Sequence, residues 1–248
     1  APHIVLQFSP DDTLTAIADE RPSIVSLAPT LIHMVQSHER FTAVDLSSVD
    51  VVFTGGATMS EAVVREVERG FGARLAITFG MTETSGTALM TGPNDPDDAR
   101  RTTVGRAVAH TEVKIVDPNG RTVPIGTPGE LCVRGPIVIK GYLNRPEATA
   151  DAIVDGWFHT GDIARIDEDG FVYIVDRAKD MVNRGGENVY CSEVEAAIYE
   201  HPDVTEAAVF GVPDERLGED VAAAVVLRGG ATLDTAGLQA FLAERIAK

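Results

Sequence analysis

An α/β fold is predicted: a parallel sheet with flanking helices, then a β-barrel-like subdomain, then a small α+β C-terminal domain. Three observations predict it. Over residues 1–100, short apolar runs alternate with segments whose apolar residues recur at helical spacing, the pattern of a parallel sheet covered on both faces. Over 101–176, strand-like runs follow one another with turn residues between them, as in an antiparallel unit. Beyond a charged joint at 177–180, residues 181–248 carry helix, strand, strand and helix signals in that order.

Within the first region, 3–8 (HIVLQF) reads as a buried strand, and Asp11 or Asp12 is suited to cap a helix carrying Leu14, Ile17 and Ala18. Residues 23–27 are the next strand, and Thr30 opens a short helix with Leu31, Met34 and Val35 on its apolar face. The third strand, 49–53, ends in Thr54-Gly55-Gly56. A helix from about Ser60 shows Val63, Val64, Val67 and Phe71 at helical spacing, and 74–79 is the fourth strand. In a parallel sheet the loops leaving the carboxyl ends of the strands gather along one edge, where ligands bind. The loops at 54–58 and 80–86 leave such ends and are expected side by side.

The stretch 91–101, rich in Pro, Asp and Gly, reads as a surface loop. Strands are predicted at 111–116, 129–134, 137–142 and 157–175, with turns at Asp117-Pro118-Asn119-Gly120 and Asp167-Glu168-Asp169-Gly170. Thr160-Gly161-Asp162 interrupts the alternation of the 157–166 run. The charged segment 176–180 is unsuited to a sheet interior and marks a boundary. Gly185-Gly186 is a turn, and Ser192 and Glu195 have the spacing of a capping box opening a helix. Strands at 204–211 and 220–227 precede a helix from Asp234 whose apolar stripe is Leu238, Phe241, Leu242 and Ile246.

With 248 residues, 44% of them hydrophobic, the chain can bury a sizeable core. A formal charge of -17 argues against general binding to nucleic acid or anionic membranes, both of which rely on Lys/Arg patches. No apolar run is long enough to cross a bilayer. Cys132 and Cys191 are too few for a disulfide framework, and neither belongs to a metal-spaced cluster; a reducing cytoplasm is the expected location. The DEDG at 167–170 starts like a calcium loop but lacks the later ligands. His159 and His201 read as structural.

Five motifs stand in order: FTGGAT (53–58), TFGMTETSG (78–86), HTGD (159–162), DGFVYIVDRAKD (169–180) and RGGENVYCSEVE (184–195). Together they resemble the motifs of the adenylate-forming (AMP-binding) superfamily, of the acyl-CoA synthetase or fatty-acid–CoA ligase type. Alone, each would pass for a polar loop or a tight turn; several in the family's order form a strong signal. The resemblance implies an acid–thiol ligase with two half-reactions. A carboxylic acid, fatty or aromatic, reacts with MgATP to give an acyl-adenylate and pyrophosphate, and CoA then displaces AMP.

The same resemblance implies roles by position. Thr82 and Glu83 are the catalytic pair, Thr82 at the ATP phosphates and Glu83 at the Mg2+. Phe79 stacks on adenine, where many relatives have Tyr. Gly55, Gly56 and Ala57 border adenine and the acyl group, and Gly80 the acid pocket. Asp162 and Arg177 hold the ribose, Gly186 lines the CoA tunnel, and Lys179 is the hinge of the C-terminal domain. ATP or AMP, Mg2+ and CoA are the implied ligands. The family's upstream phosphate loop and terminal Gly-Lys have no match here, since Lys248 lies in Ile-Ala-Lys, so a fragment inactive by itself is expected. The alternatives are an adenylating enzyme that loads a carrier protein or oxygen, and a non-catalytic nucleotide-binding or interaction module.

Overall fold

The computed structural model describes residues 8–56, 59, 61–92 and 94–246. Of the expected first strand only Phe8 lies among them, partly buried against the first core. Helix α1 (Pro10–Glu20) is capped by Ser9, whose hydroxyl accepts from Asp12 N at 3.3 Å. Asp11 and Asp12 therefore sit in the first turn rather than at the cap, where their charges still favour the helix N-terminus. Strand β1 (Ile24–Ser26) leads to α2 (Pro29–Gln36), which buries Ile32 and Val35 and leaves Met34 44% exposed. Of the expected set Val35 is buried and Leu31 half-buried, while Ile32 is buried in place of Met34. Strand β2 (Val51–Gly55), α3 (Glu61–Phe71, burying Val64, Val67 and Phe71) and β3 (Arg74–Met81) follow where the apolar spacing predicts them, although Val63 of the expected stripe is exposed.

Next come β4 (Gly86–Met90), α4 (Asp97–Thr102) and β5 (Arg106–Ala107), so the first sheet extends past residue 100. Its order is β1-β2-β3-β4-β5, parallel over the first three strands and antiparallel thereafter. The expected parallel arrangement holds for β1–β3, and β4 and β5 extend the sheet antiparallel. Only a single 3-10 turn at Thr82–Thr84 joins β3 to β4, far too short for a crossover, so the chain must return antiparallel. The stretch 91–101 is also no simple surface loop. In α4, Arg100 is 3% exposed, bonded to Glu68 at 2.9 Å and Asp97 at 2.7 Å, and Arg101 reaches the other Glu68 oxygen at 2.8 Å.

Strands β6 (Glu112–Val116) and β7 (Gly129–Arg134), helix α5 (Pro146–Ala152), and strands β8 (Ile153–Val154), β9 (Trp157–Ile166) and β10 (Val172–Arg177) build a second sheet. Its order, β10-β9-β7-β6 with β8 beside β9, is an open antiparallel path and not a closed barrel. Residues 137–142 form no strand. A turn closes with Val138 N donating to Gly135 O, and Ile139 N is committed to Glu83 O at 2.8 Å instead of a neighbouring strand. β9 runs on through Thr160-Gly161-Asp162, but its pairing with β7 slips there, between Glu130 and Cys132. Asp167 Oδ1 holds the β9–β10 hairpin by accepting from Asp169 N and Phe171 N.

The last unit comprises β11 (Val182–Arg184), β12 (Glu187–Val189), α6 (Cys191–Tyr199), β13 (Val204–Asp214), β14 (Gly218–Leu227) and α7 (Thr235–Leu242). Its sheet order is β12-β11-β14-β13. The capping box is not made: α6 begins after Tyr190 with no side-chain cap. Glu195 instead accepts from Val209 N at 2.8 Å, and the Ser192 hydroxyl donates to Val175 O in β10, so both residues bind the helix to its surroundings. Asp234 caps α7 through Gly237 N, and Leu238, Leu242 and Ile246 pack on this unit's core while Phe241 meets His201 edge-on at 4.7 Å. One buried cluster lies on β1–β3, a second joins Ala88 and Leu89 of β4 to the second sheet, and a third fills the last unit. No helix among the described residues is long and apolar enough to cross a membrane.

Candidate functional site

The described start of the 54–58 loop lies beside the strand end that leads into the 80–86 loop. Gly55 at the end of β2 pairs with Thr78 of β3, whose hydroxyl donates to Thr54 O at 3.0 Å. A Cβ at Gly55 would run into Thr78, and one at Gly80 into the Gly86 carbonyl, so both crossings require glycine. After β3 the 3-10 turn is pinned by fully buried Thr84, whose hydroxyl accepts from Met81 N at 3.0 Å and donates to Gly86 O at 2.8 Å. With Thr84 turned inward, Thr82 is exposed. Glu83 points to another element: its Oε1 accepts from the Tyr142 hydroxyl at 2.9 Å. Burial, then the bond to Glu83, raise the Tyr142 pKa, which keeps the hydroxyl a donor.

Across the cleft, Asp162 on β9 is 5% exposed and stands opposite Arg177 on β10. The Arg177 Nε lies 3.5 Å from its Oδ1, and no described residue donates a closer hydrogen bond to this carboxylate. Burial pushes the Asp162 pKa above the usual carboxylate value; Arg177 opposes the rise and Glu130 adds to it. The cleft holds about 500 Å³, a size typical of small-molecule sites. Gly56 just after β2, Phe79 and Gly80 of β3, Asp162 and Arg177 of the second sheet, and Ser192 of α6 all line it. Gly56, Gly80 and Thr82 also border an adjoining shallow hollow.

Five of the residues singled out in the sequence therefore share one cleft. Gly55 does not line it, and Ala57 is outside the described residues. Glu83 is not on the cleft wall. Gly186 is away from it, exposed in the β11–β12 turn with φ +98°, its N–H bonded to Asn183 Oδ1 at 2.9 Å. Lys179 is exposed in the joint, which is tied to the Asp162 loop by Ala178 N donating to Gly161 O at 2.8 Å.

A brace behind Asp162 escaped the sequence reading. Glu130 accepts from His159 Nδ1 at 2.7 Å and from Gly161 N at 3.1 Å, while Asp162 N donates to Thr160 Oγ1 and Thr160 Oγ1 donates to Leu131 O. Cys132 adjoins it, so Glu130, Cys132 and His159 converge with ligand atoms within 4.8 Å of one another. Cys132 thus does belong to a cluster, formed by cross-strand pairing of β7 and β9, which spacing along the chain cannot reveal. The cluster acts as a brace: burial and Glu130 push the Cys132 thiol up to about 12, and the Glu130 oxygens already serve His159 and Gly161. Tyr142 was missed for a similar reason, lying in a segment that reads as a strand.

A family model described as AMP-binding enzyme matches residues 2–143, and one for the AMP-binding enzyme C-terminal domain matches 193–248. The chain belongs to the AMP-binding enzyme family. Among AMP-binding enzymes it is 39% identical over 241 residues to the medium/long-chain-fatty-acid–CoA ligase FadD8 of Mycobacterium tuberculosis, covering 97% of this chain and 42% of that protein. It is 40% identical over 241 residues to a feruloyl-CoA synthase of Amycolatopsis sp, covering 97% and 48%. The amide bond synthetase McbA from Marinactinospora thermotolerans superposes with a TM-score of 0.87 at 40% identity, covering 98% of this chain and 50% of that one. ATP-bound MatB from Rhodopseudomonas palustris gives 0.90 at 34%, covering 99% and 48%. The chain spans about half the length of these relatives.

Proposed function

We propose that this chain carries the nucleotide site and the domain joint of an ATP-dependent acyl-CoA synthetase working in the cytoplasm. One observation carries the reading: a buried Asp162 carboxylate, to which no described residue donates a hydrogen bond closer than Arg177 at 3.5 Å, shares a nucleotide-sized cleft with Phe79. Two carboxylate oxygens suit the paired hydroxyls of a ribose, Phe79 supplies a flat face for adenine, and exposed Thr82 offers a hydroxyl to phosphate oxygens. Glu83 fits Mg2+, a cation that prefers oxygen ligands, since Tyr142 occupies Oε1 and no described residue bonds Oε2. Mg2+ bound there would offset charge on the phosphates.

In this reading the acid's carboxylate attacks the α-phosphorus of ATP, pyrophosphate leaves, and the mixed anhydride makes the carbonyl open to a thiol. The CoA sulfur then adds to that carbonyl and AMP departs. Asp162 and Arg177 keep the ribose in place through both steps, while Gly56 and Gly80 let the nucleotide and acid approach the main chain. Lys179 is the hinge about which the C-terminal unit turns, bringing Gly186 to the pantetheine arm. A fatty or aromatic acid is the proposed substrate, as for the fatty-acid and feruloyl relatives. A second acceptor, an amine in place of CoA, is favoured by the amide bond synthetase relative.

The test is acid-dependent ATP–pyrophosphate exchange and CoA-thioester formation by the complete gene product. Glu83→Gln should lower exchange on the order of a hundredfold with the melting temperature nearly unchanged, since the residue is not in a core. Equal exchange in the two proteins at saturating Mg2+ would rule out the metal role, and AMP binding without exchange would leave only a nucleotide-binding module. For the CoA step, Gly186→Leu should slow thioester formation about tenfold or more beyond Gly186→Ala while sparing exchange. The alanine control is needed because φ +98° strains any side chain, although a Cβ there meets nothing within 4 Å. Equal losses for Ala and Leu would make Gly186 a turn residue only.

A further inference from the structure

We infer that Tyr142 is a positioning residue that sets the Glu83 carboxylate for cation binding, with the 137–142 loop as its mount. The inference rests on the metal role proposed for Glu83. Glu83 is held from this loop at two points, through Tyr142 OH to Oε1 at 2.9 Å and Ile139 N to Glu83 O at 2.8 Å. A freely rotating Glu would have to lose that freedom when it takes up a metal; here one oxygen is fixed by a neutral donor and the other is left for the cation. Hydrogen bonds of this kind to metal carboxylates are worth roughly 10–100-fold in metal affinity.

The loop is itself fixed. Tyr142 N donates to Thr149 Oγ1 at 2.9 Å, and Thr149 Oγ1 donates to Arg145 O at 2.8 Å in the first turn of α5. Gly141 packs so closely on Thr149 that an added Cβ would lie 2.6 Å from its Cγ2. The path from α5 through Thr149 and Tyr142 to Glu83 connects the second sheet's subdomain to the 3-10 turn after β3. That geometry explains why 137–142 is a loop despite its strand-like composition: its polar groups are spent on Glu83 and Thr149 rather than on a ladder.

The experiment measures Mn2+ binding by the loss of its free electron-paramagnetic signal, using the complete gene product saturated with α,β-methylene-ATP. Wild type, Tyr142→Phe, Glu83→Gln and the double variant are compared, with Mg2+ dependence of pyrophosphate exchange and thermal melts alongside. Tyr142→Phe keeps the ring and should weaken Mn2+ binding about tenfold. It should raise the Mg2+ concentration for half-maximal exchange by a similar factor, leave maximal exchange at high Mg2+ nearly intact and leave the melting temperature within about 2 °C, since the lost bond is part-exposed. Acting through Glu83, it should add nothing to the loss in Glu83→Gln. Unchanged Mn2+ affinity in Tyr142→Phe with a large loss in Glu83→Gln overturns the positioning role and leaves the metal role standing. No loss in either overturns both, and full additivity in the double variant shows that Tyr142 does not act through Glu83.

Discussion

Asp162→Asn is expected to make the protein more stable at neutral pH and a poorer nucleotide binder. The buried carboxylate has Arg177 at 3.5 Å and no closer donor among the described residues, so its ionised form is disfavoured and its pKa is raised, chiefly by burial. A raised carboxylate pKa means that the folded chain holds the proton more tightly than the unfolded one. Its contribution to stability is then complete below the unfolded pKa and lost as pH rises through the folded value. At pH 7 the ionised group is a net cost, which the amide removes. The melting-temperature gain of Asp162→Asn should be near zero well below pH 4 and should grow as pH rises through the folded pKa.

Nucleotide affinity should move the other way. Two ribose hydroxyls donating to a carboxylate are charge-assisted, each worth about 1.5–3 kcal/mol. An Asn offers one neutral acceptor oxygen in place of two charged ones, so AMP affinity should fall roughly 10–100-fold by calorimetry. A lower melting temperature for Asp162→Asn at pH 7 would show that the carboxylate is satisfied in solution, and unchanged AMP affinity would remove it from the ribose site. The destabilised residue is retained, on this account, because ligand binding needs an acceptor that the fold leaves unpaired.

Arg100→Met should be the most destabilising single change outside the apolar cores. Arg100 is bonded to Glu68, to Asp97 and to the Leu75 carbonyl, joining α3, β3 and α4. Burial alone would raise the Glu68 pKa, yet hydrogen bonds from Arg100 and Arg101 carry it below the ordinary value. Removing Arg100 leaves a nearly buried carboxylate with Arg101 as its remaining cation, a loss of about 3–5 kcal/mol. At about 2–4 °C per kcal/mol for a chain of this size, the melting temperature should drop on the order of 10 °C. Glu68 was held ionised by its partners, so its stabilisation acts above the ordinary carboxylate pKa and fades on acidification; the gap between variant and wild type should narrow toward low pH. Adding Glu68→Met should recover much of the loss, because two apolar chains need no pairing. No recovery, or a drop of only a degree or two, would mean that the cluster is a solvated surface network.

Local patterns carried much of the fold. Val64, Val67 and Phe71 announce α3, the DEDG turn joins β9 to β10, and Leu238 with Leu242 marks the face of α7 that packs on the third core. These depend on periodicity and turn chemistry, which act over a few residues. Family motifs read in order likewise named the cleft residues Gly56, Phe79, Gly80, Asp162 and Arg177 before any geometry was known. Where local rules failed, a distant partner had intervened. Ser192 and Glu195 have the spacing of a capping box but bond to Val175 and Val209, and 137–142 alternates like a strand but is claimed by Glu83 and Thr149.

What the sequence by itself determined is the family, the three-part order of elements and the residue types that line the cleft. Tertiary structure alone decided the mixed sheet, the open path of the second sheet, the burial of Arg100, the brace of Glu130 and His159, and the hold of Tyr142 on Glu83. The physical reason is range. Helical and strand periods, caps and turns are set by neighbours a few positions away, whereas a hydrogen bond or ion pair between residues 29 or 59 positions apart exists only once the strands have fixed their register.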